Sequence, residues 1–359
     1  MPGVIRSLLV LFCVAVAAPA ADPSLLSLVM PDARVIMGCN VARVTASPFG
    51  RFLVAQMPAS PGPSKALIDQ TGFDPRRDLG EVLVAATGPS ENAPRLILAR
   101  GSFDTSRLTA AAKMLGATSR RYKGIELFTA PEPQKKAAAA PSGIGKPAWF
   151  AILDGRTAIA GDIIAVRGAI DRHALGRGPN PKLVASVHAL SARYDIWALS
   201  MMPVSELASR VPDPNLKGAM GGDVLRAVQQ SSGGIRFGQE IEISGEAVTR
   251  SDKDAVALAD VIRFLTGLIL NSHSNAPQAG PAKLLQSLDL RTEGNVMRMS
   301  LKVPQSEVEK FILSAKQRAT RTAAPAASKA KSAPRAPRAA PKAGGLTVES
   351  SEMGKVEIK

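Results

Sequence analysis

The feature that most constrains this chain is the rhythm of its apolar residues, which switches again and again between a period of two and a period of 3.6. In "EIEISGEAV" Ile241 and Ile243 face one side and Glu240 and Glu242 the other, the alternation of a strand with one covered face. Three residues after that stretch, Ser251-Asp252-Lys253-Asp254 opens a run with Ala255, Leu258, Ala259, Ile262, Leu265 and Ile269 on one stripe, a capped helix over 252–271. A chain that alternates these two patterns folds as a sheet with helices packed on it.

Between residues 34 and 173 the order is a strand "RVIMGCNV", a helix opening at Ser47-Pro48, and strands "EVLVAAT" and "RLILARG". A helix N-capped by Asp104 follows, with Leu108, Ala111, Ala112 and Leu115 as its stripe, then a strand "GIELFTA". The hairpin "WFAILDGRTAIAG" turns at Asp154-Gly155, and Asp162 is expected to cap the next helix. In the second half "YDIWALSMM" leads into a helical segment "VSELASRV", a helix over 216–230, and strands "GGIRFG" and "EIEISGEAV". Helix 252–271 and the strands "LDLRT" and "VMRMSLKV" around Glu293-Gly294-Asn295 follow, and a helix carrying Val308, Phe311, Ile312 and Ala315 ends the half.

Both halves run β-α-β-β-α-β, the order of a ferredoxin-like split βαβ unit. The expected fold is therefore α+β: two tandem ferredoxin-like modules over 31–175 and 190–316, mainly antiparallel, with helices on one face. A disordered basic tail rich in Ala, Pro and Lys is expected over 317–359. The 359 residues are 45% hydrophobic, ample for a core over the roughly 290 residues that are neither leader nor tail. "QMPASPGPSK" and "APEPQKKAAAAPSGIGKP" read as long mobile loops.

The first residues direct the chain out of the cytoplasm. Arg6 precedes an apolar run from Leu8 to Ala18, and Ala18-Pro19-Ala20 fits a small-x-small cleavage site, so residues 1–20 read as a signal peptide and the mature chain starts near Ala21 or Asp22. An uncleaved amino-terminal anchor is the alternative, although the run falls short of the roughly 20 residues of a membrane span. Phe12 before Cys13 argues against a lipidation site. Asp260 and Arg263 exclude helix 252–271 as a span, so no transmembrane helix is expected in the mature chain, and the location is periplasmic or extracellular. Removal of the leader leaves one cysteine, Cys39, so no disulfide can form within one mature chain. Its alternation with Val35, Met37 and Val41 predicts a small buried hydrophobe.

Residues at catalytic spacing are sparse. His173, His188 and His273 lie far apart with no ligand partners nearby, so no metal site is read. No Gly-x-Ser-x-Gly elbow occurs, and the Ser328 to Lys331 pair falls in the tail. "SGIGKP" lacks a phosphate loop's first glycine and has Pro147 where Ser or Thr would hold the metal. Asp154 and Asp162 could converge as acid and base, but turn former and N-cap are their simpler roles. "SRRYKG" puts three cations beside Tyr122, an anion or stacking patch. The sequence assigns no catalytic, cofactor-binding or metal-binding residue and no cofactor.

The charge is concentrated in the tail. Of the net +15, Lys316, Arg318, Arg321, Lys329, Lys331, Arg335, Arg338 and Lys342 contribute eight positive charges, and no acid lies between them. For an exported chain these cations are expected to meet an anionic envelope surface or an acidic partner protein, and no physiological nucleic acid. A solvated spacer is the alternative.

"RGSFDTSRL", "RRYKGIELF" and "ILDGRTAIAGDIIAVRGAID" resemble segments of uncharacterised exported bacterial proteins that share a Phe-Asp helix start, a Tyr-x-Gly strand start and a Gly-Asp helix start. The resemblance covers roughly residues 31–173. It implies an envelope-associated, duplicated α+β module and carries over no activity and no catalytic residue.

The expectation is a non-enzymatic exported binding or scaffold protein of unidentified ligand, with a tail that tethers it to anionic envelope surfaces. The alternatives are an envelope hydrolase whose site is built from dispersed carboxylates such as Asp154 and Asp162, or an assembly factor whose "GLTVESSEMGKVEIK" adds a strand to a partner sheet.

Overall fold

The computed structural model describes residues 21–56, 68–90, 93–129, 148–175, 179–203, 206, 223–272 and 285–314. The chain divides into residues Met1–Phe311 and Ile312–Lys359, and all the strands below belong to the first unit.

In chain order the elements are α1 (Pro23–Ser27), β1 (Val35–Cys39), α2 (Val41–Ala46), α3 (Pro48–Gln56), α4 (Pro75–Asp78), β2 (Leu79–Ala86) and β3 (Arg95–Gly101). Then come α5 (Thr105–Met114), β4 (Thr118–Tyr122), β5 (Ile125–Thr129), β6 (Trp149–Ile152), β7 (Thr157–Gly161), α6 (Ile163–Leu175), α7 (Pro181–Arg193) and β8 (Ile196–Ser200). The remainder is α8 (Asp223–Arg226), β9 (Val228–Phe237), β10 (Glu240–Thr249), α9 (Asp252–Ser272), β11 (Leu288–Glu293) and β12 (Val296–Pro304).

The strands form one 12-stranded sheet in the order β11-β12-β10-β9-β8-β1-β2-β3-β7-β6-β5-β4. The fold is α+β with a large antiparallel sheet, as expected, but the strands do not form two separate ferredoxin-like sheets. A split βαβ unit brings a strand back parallel to its neighbour through a crossover. Every adjacent pair here is antiparallel. The two halves nevertheless share a plan. In each, three strands run as a meander (β1-β2-β3 and β8-β9-β10), a helix follows (α5 and α9), and a last strand returns beside the third (β7 on β3, β12 on β10).

The halves meet where β1 pairs with β8, from Val35 opposite Ser200 to Cys39 opposite Ile196. Trp197 crosses this seam on β8, opposite Gly38 on one side and Gly234 of β9 on the other, and is 2% exposed. A Cβ on Gly38 would stand 2.3 Å from the indole, and one on Gly234 would stand 2.4 Å from the ring of Tyr194. The glycines are therefore what allow two aromatic rings to lie flat on the strands. Beside the seam Arg43 of α2 donates from Nε to Asp195 at 2.7 Å and from Nη2 to the Tyr194 carbonyl at 2.6 Å, while the other Asp195 oxygen accepts from the Phe237 amide at 2.7 Å. Asp195 thus holds α2 and β9 at once, and its side chain is only 8% exposed.

Residues directly opposite on paired strands share a face, so the register shows where the core goes. The row Ile36, Leu199, Ser232, Glu246, Arg298 starts apolar on β1 and ends charged on β12. The adjacent row Val35, Ser200, Ser231, Ala247, Met297 lies on the other face, passes through two serines and ends on the buried apolar pair Ala247 and Met297. In the first half α6, α7 and the segment Leu25–Met30 cover the first face over Ile36, Leu83, Leu96, Leu98, Ile159 and Trp197. In the second half α9 covers the opposite face, with Ala255, Leu258 and Ala259 against Val228, Ala247 and Met297. Helices accordingly lie on both faces of the sheet, where one had been expected.

Several local expectations hold. Asp104 accepts from the Arg107 amide at 3.1 Å as the α5 N-cap, and Ser251 accepts from the Asp254 amide at 3.3 Å as the α9 cap. Others change. In β1 the buried positions are Ile36 and Gly38, so Val35, Met37 and Cys39 take the less covered face, and Met37 is 48% exposed. Of the helix expected over 216–230, residues 216–222 lie outside the described residues; α8 takes Asp223–Arg226, and β9 already begins at Val228. Strand β4, helix α7 and the segment 21–30 had no predicted counterpart, yet Leu25, Leu28 and Val29 are among the most buried side chains of the protein. Arg172 of α6 fastens that segment by donating Nε and Nη2 to the Leu28 carbonyl at 3.0 and 2.7 Å.

Candidate functional site

Because the core changes sides at the seam, the first face of β9, β10, β12 and β11 carries polar residues under no helix among the described residues. A groove of about 430 Å³ lies there. One wall is the end of α7, through Ala189, Leu190, Arg193 and Tyr194. The floor is short: Ser232, Ser244 and Ser300, with Gly234 opposite Ser244 and Ser244 opposite Ser300. Above Gly234 lies the Tyr194 ring, and the Arg193 guanidinium sits 5.0 Å from its centroid.

The rim is charged. Arg193, Arg236, Arg291, Arg298 and Lys302 face Glu242, Glu246 and Asp289. Glu242 lies 2.8 Å from Arg236 and 3.5 Å from Arg193, and its side chain is 13% exposed between them. Arg298 bridges Glu246 at 3.0 Å and Glu293 at 2.5 Å, and these hydrogen bonds, to Glu293 first, hold its guanidinium charge more firmly than usual. Arg291 pairs with Asp289 at 2.7 Å. Exposed ion pairs of this kind contribute about 0–1 kcal/mol each, so an arriving anion can take over a guanidinium at little cost. No histidine lines the groove; the Ser244 hydroxyl donates to Glu242 at 3.4 Å, a carboxylate already paired with Arg236 and Arg193. Hydrogen bonding and charge pairing with a polar ligand are what this arrangement can do.

The residues singled out in the sequence lie elsewhere. Asp154 accepts from the Arg156 and Thr157 amides, both at 2.6 Å, and is the expected turn former of the β6–β7 hairpin. Asp162 does not cap α6 with its side chain. Its carboxylate accepts from the Arg95 amide at 2.7 Å and extends the β3–β7 ladder. The two carboxylates stand at opposite ends of β7, about 16 Å apart at strand rise, so they form no acid–base pair. In "SRRYKG", Lys123 and Gly124 make a tight turn with φ of 48° and 85°. The Tyr122 hydroxyl donates to Asp171 at 3.1 Å, Lys123 pairs with the same carboxylate at 2.6 Å, and the Arg120 guanidinium lies 5.5 Å from the Trp149 ring centroid, so Tyr122, Lys123 and Arg120 have partners within the protein. The Cys39 thiol is pushed up by burial, and further by Asp195 and Glu81, which disfavours the thiolate. His173 falls in the last turn of α6, and His188 within α7. His273, the tail cations Lys316, Arg318, Arg321, Lys329, Lys331, Arg335, Arg338 and Lys342, the leader and the segment 345–359 lie outside the described residues. Among the described residues no group of three His, Cys, Asp or Glu side chains is placed to hold a metal ion, and no helix is long and apolar enough to cross a membrane.

Sequence reasoning did not find the groove. The outward alternation of Glu240 and Glu242 was its only trace, because a strand pattern tells which residues face away from a core and not which strands lie beside them.

The fold and groove define the class: an α+β protein built on a large antiparallel sheet, with a mixed-charge polar recess. No family model and no curated protein sequence matches the chain. Among solved structures it is similar to TP0453 in three crystal forms, III, I and IV, each at 11% identity over 80% of this chain. These alignments cover 97%, 96% and 95% of those chains, with TM-scores of 0.46, 0.45 and 0.47.

Proposed function

We propose that this is an exported, non-enzymatic binding protein built from a duplicated α+β module. Its groove takes a polar ligand bearing carboxylate, phosphate or sulfate groups, and its basic tail holds it to anionic envelope surfaces. The groove carries the reading: four lining cations and three carboxylates around a serine floor offer exchangeable charge and hydrogen bonds, and the one serine–carboxylate contact, Ser244 to Glu242, is made to a carboxylate held by two arginines. Export rests on the leader and the tether on the tail composition. Eight cations on a Pro-interrupted segment present charge without shape. Each contributes at most about 1 kcal/mol at an anionic surface, screened over about 8 Å at physiological ionic strength.

The test compares full-length protein with a chain ending at Ser314 on anionic vesicles at low and high salt. Full-length protein binds and is released by salt, while the shorter chain stays free. Equal, salt-insensitive retention of both removes the tether. For the groove, crosslinking in native envelopes should capture an anionic partner whose yield falls in Arg291→Ala and Arg298→Ala; capture unaffected by either change places the ligand elsewhere.

A further inference from the structure

The cleavage site read from the sequence falls where the structure is already closed. Ala21 is 1% exposed, and its amide donates to Ser191 Oγ of α7 at 2.8 Å in a buried setting. The next amide, of Asp22, donates to Glu81 Oε2 of β2 at 3.0 Å. Chain termini are generally loose unless something ties them down. Here the first residue after the leader is fastened to a helix and to a strand.

The surroundings are those of a site for a cation. Glu81 is a half-buried carboxylate whose one described hydrogen bond comes from a neutral amide. The nearby guanidinium of Arg100 is spent on Asp22 at 2.9 Å and on the Thr157 hydroxyl at 2.9 Å, and that of Arg43 on Asp195 at 2.7 Å. Burial pushes the Glu81 carboxyl above its ordinary value and the Asp22 charge adds to this, while the hydrogen bond from the Asp22 amide and the charges of Arg43 and Arg100 offset it only in part. A buried carboxylate left this way gains most from a positive group placed beside it.

We infer that hydrolysis of the Ala20–Ala21 bond creates that group: the α-ammonium of Ala21 seats between Ser191 Oγ and the Glu81 carboxylate and locks the processed protein. The step consumes one water, supplied with an exogenous peptidase, and leaves a carboxylate on Ala20 and an ammonium on Ala21. Adjacent amide nitrogens lie within about 3.8 Å of each other, the span of one peptide unit, and the Asp22 amide is 3.0 Å from Glu81 Oε2, so the new charge arrives within about 7 Å of that oxygen. Ser191 donates its hydroxyl hydrogen bond to the His188 carbonyl at 3.2 Å, which leaves its lone pairs for the ammonium. An additional residue, or an acyl cap, removes the charge from this position and leaves Glu81 uncompensated. The cleavage position becomes a structural requirement, because only a chain that begins at Ala21 presents its ammonium there.

The inference rests on the export reading for where cleavage happens, and its test does not. Three chains ending at Lys359 are made in vitro: one beginning at Ala21, one retaining Ala20, and one beginning at Nα-acetylated Ala21. Each is made in the parent sequence, in Glu81→Gln and in Ser191→Ala. The chain beginning with a free Ala21 should melt about 4–8 °C above the other two, in line with restored charge pairing in a domain of this size. In Glu81→Gln the advantage should shrink to under about 2 °C, and Ser191→Ala should reduce it without abolishing it. Labelling with an amine-reactive anhydride near neutral pH gives an independent readout: the Ala21 amine is protected in the parent and exposed in Glu81→Gln. Equal midpoints for the three chains, or an advantage that survives Glu81→Gln, overturns the inference. Intact mass of exported material is a separate measurement: a retained Met1 overturns the export reading and leaves the in vitro comparison standing.

Discussion

Replacing Gly38 with alanine tests the seam on which the single sheet depends. The new Cβ would lie 2.3 Å from Cε2 and Cζ2 of Trp197 and 2.6 Å from Nε1. Carbon atoms rest at about 3.5–4.0 Å, so the indole must retreat by about 1.2 Å or β1 must part from β8. The indole has little room. It is buried, and its far neighbour Gly234 already carries the Tyr194 ring at a distance that excludes a Cβ. Overpacking of this size costs about 1–3 kcal/mol, and the lower chain entropy of unfolded alanine returns about 0.4–1 kcal/mol. The net loss should approach about 2 kcal/mol, a fall of about 4–8 °C in Tm. Thermal unfolding followed by near-ultraviolet circular dichroism measures the loss, and tryptophan emission reports the displaced indole. In a Trp197→Leu background the Gly38→Ala penalty should drop below about 0.5 kcal/mol, since the clash is gone. A Gly38→Ala protein as stable as the parent, or a penalty undiminished in Trp197→Leu, would show that the ring does not hold the seam.

Gly267 lies exposed within α9 with nothing within 4 Å of its Cβ position, so Gly267→Ala should raise stability by about 0.5–1 kcal/mol in denaturant unfolding. Arg43→Ala leaves Asp195 buried without its ion-pair partner and should cost about 3 kcal/mol in the same assay, with a smaller loss for Asp195→Asn, which keeps a side-chain acceptor for the Phe237 amide. Hydrogen bonds from Lys123 first and Tyr122 next hold the Asp171 carboxyl below 3.8, so this group stabilises the fold above its unfolded pKa and loses that contribution as pH falls through its folded value. Acid titration of Asp171→Asn should therefore show a shallower loss of stability below about pH 3.8 than the parent, and identical profiles would show that the contact carries no linkage.

What the sequence determined was local. The Asp104 and Ser251 caps, the Asp154 turn and the β11–β12 hairpin around Glu293-Gly294-Asn295 are set by residues within four positions of one another, so they could be read directly. The charge carried by residues 316–342 is likewise a statement about composition, and export and a tether remain expectations drawn from order along the chain. Strand pairing is not local. Nothing in "RVIMGCNV" says that β1 lies between β2 and β8, and both of its faces are apolar enough that alternation selected Val35, Met37 and Cys39 when packing buried Ile36 and Gly38. Asp162 shows the same limit: a residue before a helix reads as its cap until a neighbouring strand presents the Arg95 amide to it. The groove exists because helices cover opposite faces on either side of the Trp197 seam, which exposes Ser232, Ser244 and Ser300 on one of them. Which face a helix covers depends on contacts between residues far apart in the chain, and only the tertiary structure brings those residues together.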